Sequence, residues 1–237
     1  MSDITLSDGQ EIAMQSIKAF LEDDTSFFTL LGKAGTGKTF ITQQLMRLIA
    51  PSEVAITAPT NKAVTVLQKF NQDVDVLCLT IHKFLGLKVG KKQGKSVLIK
   101  NKRFDPSQFA DINLVIIDEA SMIPDDLLKR IQRNANDWGR KYLFIGDPFQ
   151  LPPVDHTETK AFNIGQKYEL TEIIRQAKGN PIIACADAIR KAIDLGDEPK
   201  LIPGTEGELG VELVNRKEFE GRIRNHFKSH NEGETNV

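Results

Sequence analysis

The stretch FFTLLGKAGTGKT, residues Phe27–Thr39, decides the fold of this chain. Its apolar first part, Phe27–Leu31, predicts a short buried strand, and the helical spacing of the apolar residues after Thr39 predicts a helix. Between them, Gly32–Thr39 fits the pattern G-x-x-x-x-G-K-[ST]. Because a strand that runs through such a loop into a helix is typical of a phosphate-binding loop, the sequence predicts a nucleoside triphosphate site.

The chemistry of this loop explains its spacing. Glycines let the backbone curl with its N–H groups pointing inward, and the N-terminus of the following helix adds partial positive charge. The Lys38 ammonium can reach the β- and γ-phosphates, and the Thr39 hydroxyl can ligate Mg²⁺. An ordinary glycine-rich turn is the alternative, and the strand–loop–helix context disfavours it. The loop residues predicted to bind ATP are Gly32, Lys33, Ala34, Gly35, Thr36, Gly37, Lys38 and Thr39.

Composition excludes several classes of protein. The chain has 237 residues and a formal net charge of −1, which argues against a wholly basic nucleic-acid coat. Cys78 and Cys185 lie far apart among apolar residues, which indicates small core residues rather than a disulfide framework or a metal site. The N-terminus is no signal peptide, and no run approaches the roughly 20 apolar residues of a membrane span. We therefore expect a cytoplasmic protein without a membrane partner.

Three more apolar runs predict buried strands, at Val54–Ala58, Leu114–Ile117 and Tyr142–Ile145. Together with the first run they make four strands that alternate with helices. This order favours an α/β fold in which helices flank a parallel β-sheet, as in a P-loop NTPase. Beyond this sheet the pattern predicts a helix over Pro181–Ile193 and indicates one more strand over Val211–Val214.

Two carboxylates, Asp118 and Glu119, directly follow the third predicted strand. In P-loop enzymes a carboxylate at this place holds the magnesium shell, and its neighbour can act as general base toward the attacking water. Two adjacent carboxylates at the end of a buried strand are costly without a cation, which favours this functional interpretation over a structural one.

Three other polar residues are candidates for contacts with nucleotide. Gln150, in the turn after the fourth strand, can sense the γ-phosphate or orient water. The carboxamide of Gln10 can read an adenine edge, although a surface glutamine is the alternative. The Arg175 guanidinium suits phosphate charge in a transition state, although it can also be a surface residue.

The segment Leu87–Arg103 contains seven basic residues and no acidic one, and its pattern predicts a β-hairpin that turns at Gln93-Gly94. Such an excess of positive charge suggests a projection that faces phosphates, whereas a solvated loop is the plain alternative. Just before it, Leu79–Gly86 is either a loop with a packed Phe84 or a single-strand contact. The cations of the basic segment are Lys88, Lys91, Lys92, Lys95, Lys100, Lys102 and Arg103.

The order of these motifs resembles that of superfamily 1 helicases, and most of all the 5′→3′ branch that contains the RecD and Dda helicases. The resemblance covers about residues 5–195 and rests on seven elements in register. They are Gln10, GKAGTGKT (32–39), APTNKAV (58–64), TIHKFLG (80–86), VIIDEAS (115–121), GDPFQLPPV (146–154) and LTEIIRQ (170–176).

The resemblance implies a role for each matched residue. Gln10 would contact adenine, Lys38 and Thr39 would serve the phosphates and Mg²⁺, and Asp118 would bind Mg²⁺. Glu119 would activate water, Gln150 would couple ATP to DNA, and Arg175 would touch the γ-phosphate. Single-stranded DNA would run along Pro59, Thr60, Asn61, Thr80 and His82, and phosphates would meet Lys91, Lys92 and Lys95.

The resemblance also implies a division into domains. Residues 1–86 and 105–195 would form a RecA-like ATP-binding domain, and residues 87–104 a small pin-like insertion, here called the basic hairpin. Residues 196–237 would extend toward a second RecA-like domain and end in a disordered tail. Nothing after Arg175 resembles the motifs of that second domain.

Three functions stay open on these grounds. The first is the N-terminal ATPase half of a DNA helicase that acts on single-stranded and forked DNA, with a second RecA-like domain or subunit and replication proteins as partners. The second is a nucleotide-dependent single-strand-binding or accessory module that does not unwind. The third is a small-molecule kinase, which the GDPFQLPP turn disfavours. A phage-encoded chain would work in the host cytoplasm.

Overall fold

The computed structural model describes residues 6–92, 95–154, 157–172, 181–198, 203–206, 209–212 and 214–229. The chain divides into two compact units, residues 1–175 and 176–237. The strands of the first unit are β1 Phe27–Gly32, β2 Val54–Ala58, β3 Leu77–Thr80, β4 Leu87–Lys92, β5 Lys95–Lys100, β6 Leu114–Ile117, β7 Lys141–Gly146 and β8 Gln166–Leu170. Its helices are α1 Asp8–Glu22, α2 Lys38–Met46, α3 Asn61–Phe70, α4 Ile81–Phe84 and α5 Asp125–Trp138.

Six strands form one sheet in the order β3-β2-β6-β7-β1-β8, and every neighbouring pair is parallel. The predicted fold class is therefore confirmed. The predicted count of four strands was too low, because β3 and β8 were missed. These two lie at the edges of the sheet, where Leu79 and Leu170 are the only buried members of their strands. Strand β8, QKYEL, lacks the continuous apolar run that marks a central parallel strand, whereas β3 lies in the short apolar run Val76–Leu79, which the prediction passed over.

Helices cover both faces of the sheet, as expected for parallel strands joined by crossovers. On one face α1, α2 and α3 pack against the strands, and this core includes Ile17, Leu30, Ile41, Leu45 and Ile56. On the other face α4 and α5 close a second core, which includes Val115, Ile117, Leu127, Ile131 and Phe144. All six strands point the same way, so their carboxyl ends lie along one side of the sheet. The polar residues that follow the strands are therefore close together there.

The predicted hairpin in the basic segment is present as the antiparallel pair β4–β5, with Lys92 opposite Lys95. Its predicted turn at Gln93-Gly94 lies outside the described residues. The base of the hairpin belongs to the second core, where Leu87 is buried and Leu98 packs against it. Phe84 is only 1% exposed, so the alternative with a packed Phe84 is correct for that residue.

The second unit is described by itself as two helices and a short antiparallel pair. Its helix α6 covers the predicted helix and lies against the paired strands. The strand predicted over Val211–Val214 was misplaced, because the residues that pair with Gly204–Glu206 are Leu209–Val211. The elements are α6 Pro181–Leu195, β9 Gly204–Glu206, β10 Leu209–Val211 and α7 Arg216–Ser229.

Two of the exclusions made from the sequence can be compared with the structure. Cys78 and Cys185 are both free thiols of intermediate exposure, so they form no disulfide framework. Within the described ranges, no helix combines the length and the apolar character that crossing a membrane would require.

Arg140 is a buried cation that ties α5 to the elements before β6. It is 2% exposed, and its guanidinium donates to the carbonyl oxygens of Ile112 and Phe109 and to Asn134 Oδ1. The same guanidinium lies over the rings of Phe84 and Trp138, at 5.1 and 4.6 Å from their centroids. Carbonyl dipoles and aromatic faces thus replace the water that this charge loses on burial.

We predict that Arg140→Ala lowers the free energy of unfolding by about 3 kcal/mol, because it removes the guanidinium donor from the Ile112 carbonyl, leaves the Phe109 carbonyl with the Ile112 N–H as its remaining donor, and opens a cavity. Urea denaturation of the 237-residue chain measures this. Lys129→Ala, on the exposed side of the same helix, is the matched control and should change stability by less than about 0.5 kcal/mol. Equal effects of the two substitutions would show that the Arg140 contacts contribute nothing.

Candidate functional site

A cleft of about 490 Å³ opens at the edge where the strands of the sheet end. It brings together most of the residues that the sequence predicts for nucleotide, and it adds four that were not predicted. The predicted residues lining it are Gln10, Ala34, Gly35, Gly37, Lys38, Thr39, Asp118, Glu119 and Gln150. The others are Phe40, Gln43, Phe70 and Gly146.

The loop between β1 and α2 has the geometry of an anion-binding nest. Gly35 and Gly37 have φ values of 85° and 89°, which turn successive N–H groups toward the cleft, and Gly37 is the N-cap of α2. The Lys38 Nζ donates to the carbonyl oxygens of Gly32 and Lys33 at 2.6 and 2.9 Å, which holds the ammonium across the loop. The fully buried Thr36 braces the loop through its hydroxyl, which donates to Lys33 O at 2.9 Å.

Gly32 shows how closely this loop is packed. A Cβ at this position would lie 2.5 Å from Thr36 Oγ1 and 3.2 Å from both Cβ and O of Leu170. No side chain fits there without moving the loop or strand β8. The cradle therefore has the tight, side-chain-free form that a bound phosphate group needs.

Gln10 is buried at 3% exposure, so the interpretation as a surface glutamine was wrong. Its Oε1 accepts a hydrogen bond from the Ser7 N–H at 3.2 Å, and its Nε2 donates to the Thr36 carbonyl at 3.5 Å. The side chain thus joins the start of α1 to the phosphate-binding loop while it lines the cleft. Its role in reading adenine stays a prediction.

Asp118 and Glu119 lie at the end of β6, beside the loop. The Asp118 N–H donates to Thr57 O at 2.9 Å, which continues the pairing with β2 by one residue. Burial raises the pKa of the Asp118 carboxyl, and the nearby Lys38 ammonium opposes this. Burial and then the Asp118 charge raise the pKa of Glu119, whereas Lys62 lowers it. The pair is therefore short of positive charge, and a cation in the cleft would stabilise it.

Glu119 has an unusual backbone. Its φ of 54° and ψ of 38° make it the one non-glycine residue in the left-handed region within the described ranges. Its N–H donates to Asp118 Oδ1 at 2.9 Å, which helps to hold this conformation. Strain of this kind is concentrated at functional sites, where the surrounding structure fixes a side chain in position.

The donors in the cleft fit magnesium rather than a metal held entirely by protein. Within the described ranges, no group of three or more His, Cys, Asp or Glu residues could hold a metal ion. Magnesium in nucleotide sites is bound through one or two protein oxygens together with phosphates and waters. Thr39 and Asp118 both line the cleft and supply such oxygens.

The turn after β7 positions Gln150 at the cleft. Asp147 is 1% exposed, its Oδ1 accepts from the Phe149 N–H at 3.0 Å, and its carbonyl accepts from the Gln150 N–H at 3.1 Å. These bonds fix the turn while the Gln150 side chain is exposed. Arg175, the other predicted partner of the γ-phosphate, lies outside the described residues.

The residues predicted to follow a DNA strand lie at the ends of β2 and β3, the same sheet edge as the nucleotide cleft. Thr60 and Thr80 are the N-caps of α3 and α4, and their hydroxyls accept from Ala63 N and Lys83 N, both at 3.2 Å. Pro59 and Asn61 flank the first of these caps. The capping bonds explain why hydroxyl residues stand at both places, whether or not DNA is present.

His82 and the hairpin lysines complete the predicted DNA contacts. Burial lowers the pKa of His82, with the Asp126 charge opposing, so its imidazole is neutral near pH 7. Lys91, Lys92 and Lys95 lie on the two strands of the hairpin, and their side chains fall outside the described part of the chain.

Four residues in or beside the cleft were missed by sequence reasoning. The Lys62 charge lowers the pKa of Glu119. Lys62 belongs to the APTNKAV motif, but the motif alone does not show that its side chain acts on Glu119. Phe40, Gln43 and Phe70 line the cleft, and Gln43 Nε2 donates to Phe70 O at 3.3 Å. Phe40 directly follows the loop motif, whereas only the fold brings Phe70 to the cleft.

The raised pKa of Asp118 predicts that this carboxylate destabilises the folded chain. The folded state binds the Asp118 proton more tightly than the unfolded state does. The protonated carboxyl therefore contributes its full stabilisation of the folded state below the ordinary pKa of 3.8, and this stabilisation is lost as the pH rises through the raised pKa. Asp118→Asn should therefore raise the free energy of unfolding at about pH 7, and this gain should shrink below about pH 4.

Urea denaturation at both pH values measures this difference, and the exposed Asp24→Asn is the control. A variant that is less stable than the wild type at neutral pH would contradict the prediction. So would a gain that grows on acidification.

Comparisons with known proteins agree with this geometry. A family model described as "AAA domain" matches residues 5–199, well over half of the chain. The ATP-dependent RecD2 DNA helicase of Deinococcus radiodurans is 32% identical over 165 residues, which cover 68% of this chain and 21% of that protein. The ATP-dependent DNA helicase dda of Enterobacteria phage T4 is 27% identical over 195 residues, 78% of this chain and 42% of that protein.

A solved Pif1 helicase chain is also similar, with a TM-score of 0.59 and 26% identity. The match covers 81% of this chain and 51% of that chain. This chain thus spans about half or less of the length of each of these relatives. Since the family model, the relatives and the structural match agree, the chain belongs to the AAA domain family, as the RecA-like nucleotide-binding domain of a superfamily 1 helicase of the Pif1, RecD and Dda group.

Proposed function

We propose that this chain is the ATPase half of an ATP-dependent DNA helicase, which couples ATP hydrolysis to 5′→3′ movement on single-stranded DNA and to unwinding. One observation carries the proposal: Lys38, Asp118, Glu119 and Gln150 line a single cleft above a phosphate-binding loop. The named activity of the relatives supports it, since they are ATP-dependent DNA helicases. Because the chain covers only part of their length, activity, substrate and partners are all part of the proposal.

The residues of the cleft divide the chemistry among them. The N–H groups of residues 32–39 hold the triphosphate, and Lys38 neutralises charge on its outer phosphates. Magnesium, when bound through Thr39 and Asp118, offsets the negative charge of the phosphate oxygens. Gln150 orients the attacking water or the γ-phosphate from the turn after β7. Arg175 adds positive charge in the transition state, and Gln10 selects adenine.

Glu119 is the proposed general base. Its left-handed backbone aims the carboxylate from the end of β6 into the cleft, and its raised pKa strengthens it as a proton acceptor. The proton of the attacking water moves to Glu119 as the oxygen attacks the γ-phosphate. Lys62 stabilises the carboxylate in its charged form before that transfer.

The DNA track of the proposal begins at the same edge of the sheet. Pro59, Thr60, Asn61, Thr80 and His82 follow β2 and β3 there. Solved structures of Pif1 helicases with single-stranded DNA, and on forked duplex DNA, support the choice of substrate. The phosphate-binding loop and the residues assigned to DNA both lie at the carboxyl ends of the strands. A conformational change caused by nucleotide binding can therefore reach the DNA strand over a short distance.

The proposed domain arrangement places residues 1–86 and 105–195 in the RecA-like domain. The basic hairpin, residues 87–104, is the strand-separating pin, and residues 196–237 lead toward a second RecA-like domain. That second domain, in the same polypeptide or in another subunit, completes the motor, because translocation needs two domains that open and close around ATP. Replication proteins are proposed as further partners.

We predict that Glu119→Gln retains nucleotide binding and lowers ATP turnover by about a hundredfold or more, because an amide cannot accept the proton. Binding of a fluorescent ATP analogue and DNA-stimulated phosphate release measure the two properties. Lys38→Ala should lose binding itself. The exposed Glu22→Gln on α1 is the control, and normal turnover in Glu119→Gln would refute the assignment of the base.

We predict that replacing Lys91, Lys92 and Lys95 with alanine weakens single-strand binding. The slope of log affinity against log salt should fall by roughly 0.7 for each phosphate that a lysine no longer neutralises. ATP-analogue affinity should hardly change, because the loop that binds phosphate lies on the sheet and not on the hairpin. Fluorescence anisotropy with a labelled oligonucleotide at several salt concentrations measures both the affinity and the slope. An unchanged affinity and slope would mean that the hairpin is a solvated loop.

A further inference from the structure

A groove of about 280 Å³ lies at the base of the basic hairpin, away from the nucleotide cleft. Its walls are the residues before and after the hairpin, among them Leu85, Leu87 and Phe104, and α5 from Arg130 to Trp138. Helix α5 begins near the sheet edge that carries the cleft, and Lys141 starts β7 at the opposite edge. The Asp126 charge acts on His82, and from Asp126 to Trp138 the helix rises about 18 Å. The Trp138 end of the groove is therefore remote from His82, whereas Leu85 and Leu87 join its other end to α4.

The rim of this groove is positively charged. Lys100, Arg130 and Arg133 line it and are exposed. Among the described residues, none of these three forms an ion pair with a carboxylate. Asp137 is the one acidic residue of the lining, which leaves an excess of positive charge in a chain whose net charge is −1. Unpaired cations that converge on one groove are suited to phosphate.

The apolar part of the groove includes Trp138, the only tryptophan of the chain, which is 40% exposed. Its ring lies 4.6 Å from the buried Arg140 guanidinium, which three hydrogen bonds hold in place. The indole is therefore a fixed aromatic surface, with Phe104 beside it in the lining. An immobilised aromatic ring among arginines is the usual platform for a stacked, unpaired base whose phosphates meet the cations.

We propose that this groove binds the DNA strand that the basic hairpin displaces from a fork. The inference rests on the proposed function. The residues assigned to the tracking strand lie where β2 and β3 end, whereas Trp138 lies close to where β7 begins, at the opposite ends of the parallel strands. Leu87, at the base of the hairpin, lines the groove itself. A duplex split by the hairpin would send one strand to each side. Trp138 requires an unpaired base, so the occupant is single-stranded rather than the duplex ahead.

The test compares two DNAs that share one duplex. The first is a fork with both arms, and the second carries only the 5′ tail that the tracking strand supplies. The tryptophan of the wild-type chain is itself the reporter. The fork should quench Trp138 emission, and the tailed duplex should leave it unchanged. The fork should also bind more tightly than the tailed duplex.

The variant Arg130→Ala/Arg133→Ala separates the groove from the rest of the DNA surface. It should weaken fork binding roughly tenfold and lower the salt slope for the fork by about 1.4, because two single-strand phosphates are no longer neutralised. Binding of the tailed duplex should remain that of the wild type. Lys18→Ala/Lys69→Ala removes the same charge from exposed positions on α1 and α3, and both DNAs should bind it normally.

Three results would overturn the inference alone: wild-type binding of the fork no tighter than that of the tailed duplex, no quenching by the fork, or an equal effect of the double variant on both DNAs. Failure of the wild-type chain to bind either DNA would overturn the proposed function together with the inference. The two failures are therefore distinguishable, because the tailed duplex reports the tracking strand without the displaced arm.

Discussion

The position of β6 between β2 and β7 is the constraint on which the rest of the site depends. Thr57 is fully buried, its hydroxyl donates to Ile116 O at 2.9 Å, and its carbonyl accepts from the Asp118 N–H. These bonds fix where β6 stops and hence where both carboxylates enter the cleft. Because parallel strands share one direction, the same packing brings the phosphate-binding loop and the turn of Gln150 to that edge.

The residues at the carboxyl ends of the strands differ in chemistry from those at the amino ends. Where the strands end, half-buried carboxylates and glycine-rich turns form a cleft whose donors suit a cation and a polyphosphate. At the other end, Arg140 gathers carbonyl groups and aromatic rings into a rigid support beneath the hairpin. In the proposed function this separation is useful, since force on the hairpin at one end of the strands need not distort the nucleotide cleft at the other.

Sequence reasoning predicted the central strands and most of the residues that line the cleft, because both rest on local patterns. Strand β2 is buried throughout and forms one apolar run, and Lys38 follows from the spacing of the loop. The edge strand β8 carries no such run, and that of β3 is only four residues long, Val76–Leu79. Phe70 reaches the cleft only through packing of α3, and Gln10 meets the loop through the carbonyl of Thr36, 26 residues away. Interactions between residues distant in sequence have no local signature, so the fold alone reveals them.

The left-handed backbone of Glu119 has an evolutionary consequence. Glycine adopts this conformation without steric penalty, whereas another residue gives up about 1 kcal/mol. Selection for stability alone would thus place glycine or asparagine at this position. In the proposed function this conformation is accepted for the sake of the Glu119 carboxylate, and a lineage released from hydrolysis should drift toward glycine here first. The identity of this one residue can therefore separate homologues that still hydrolyse ATP from those that have kept only the shape of a motor.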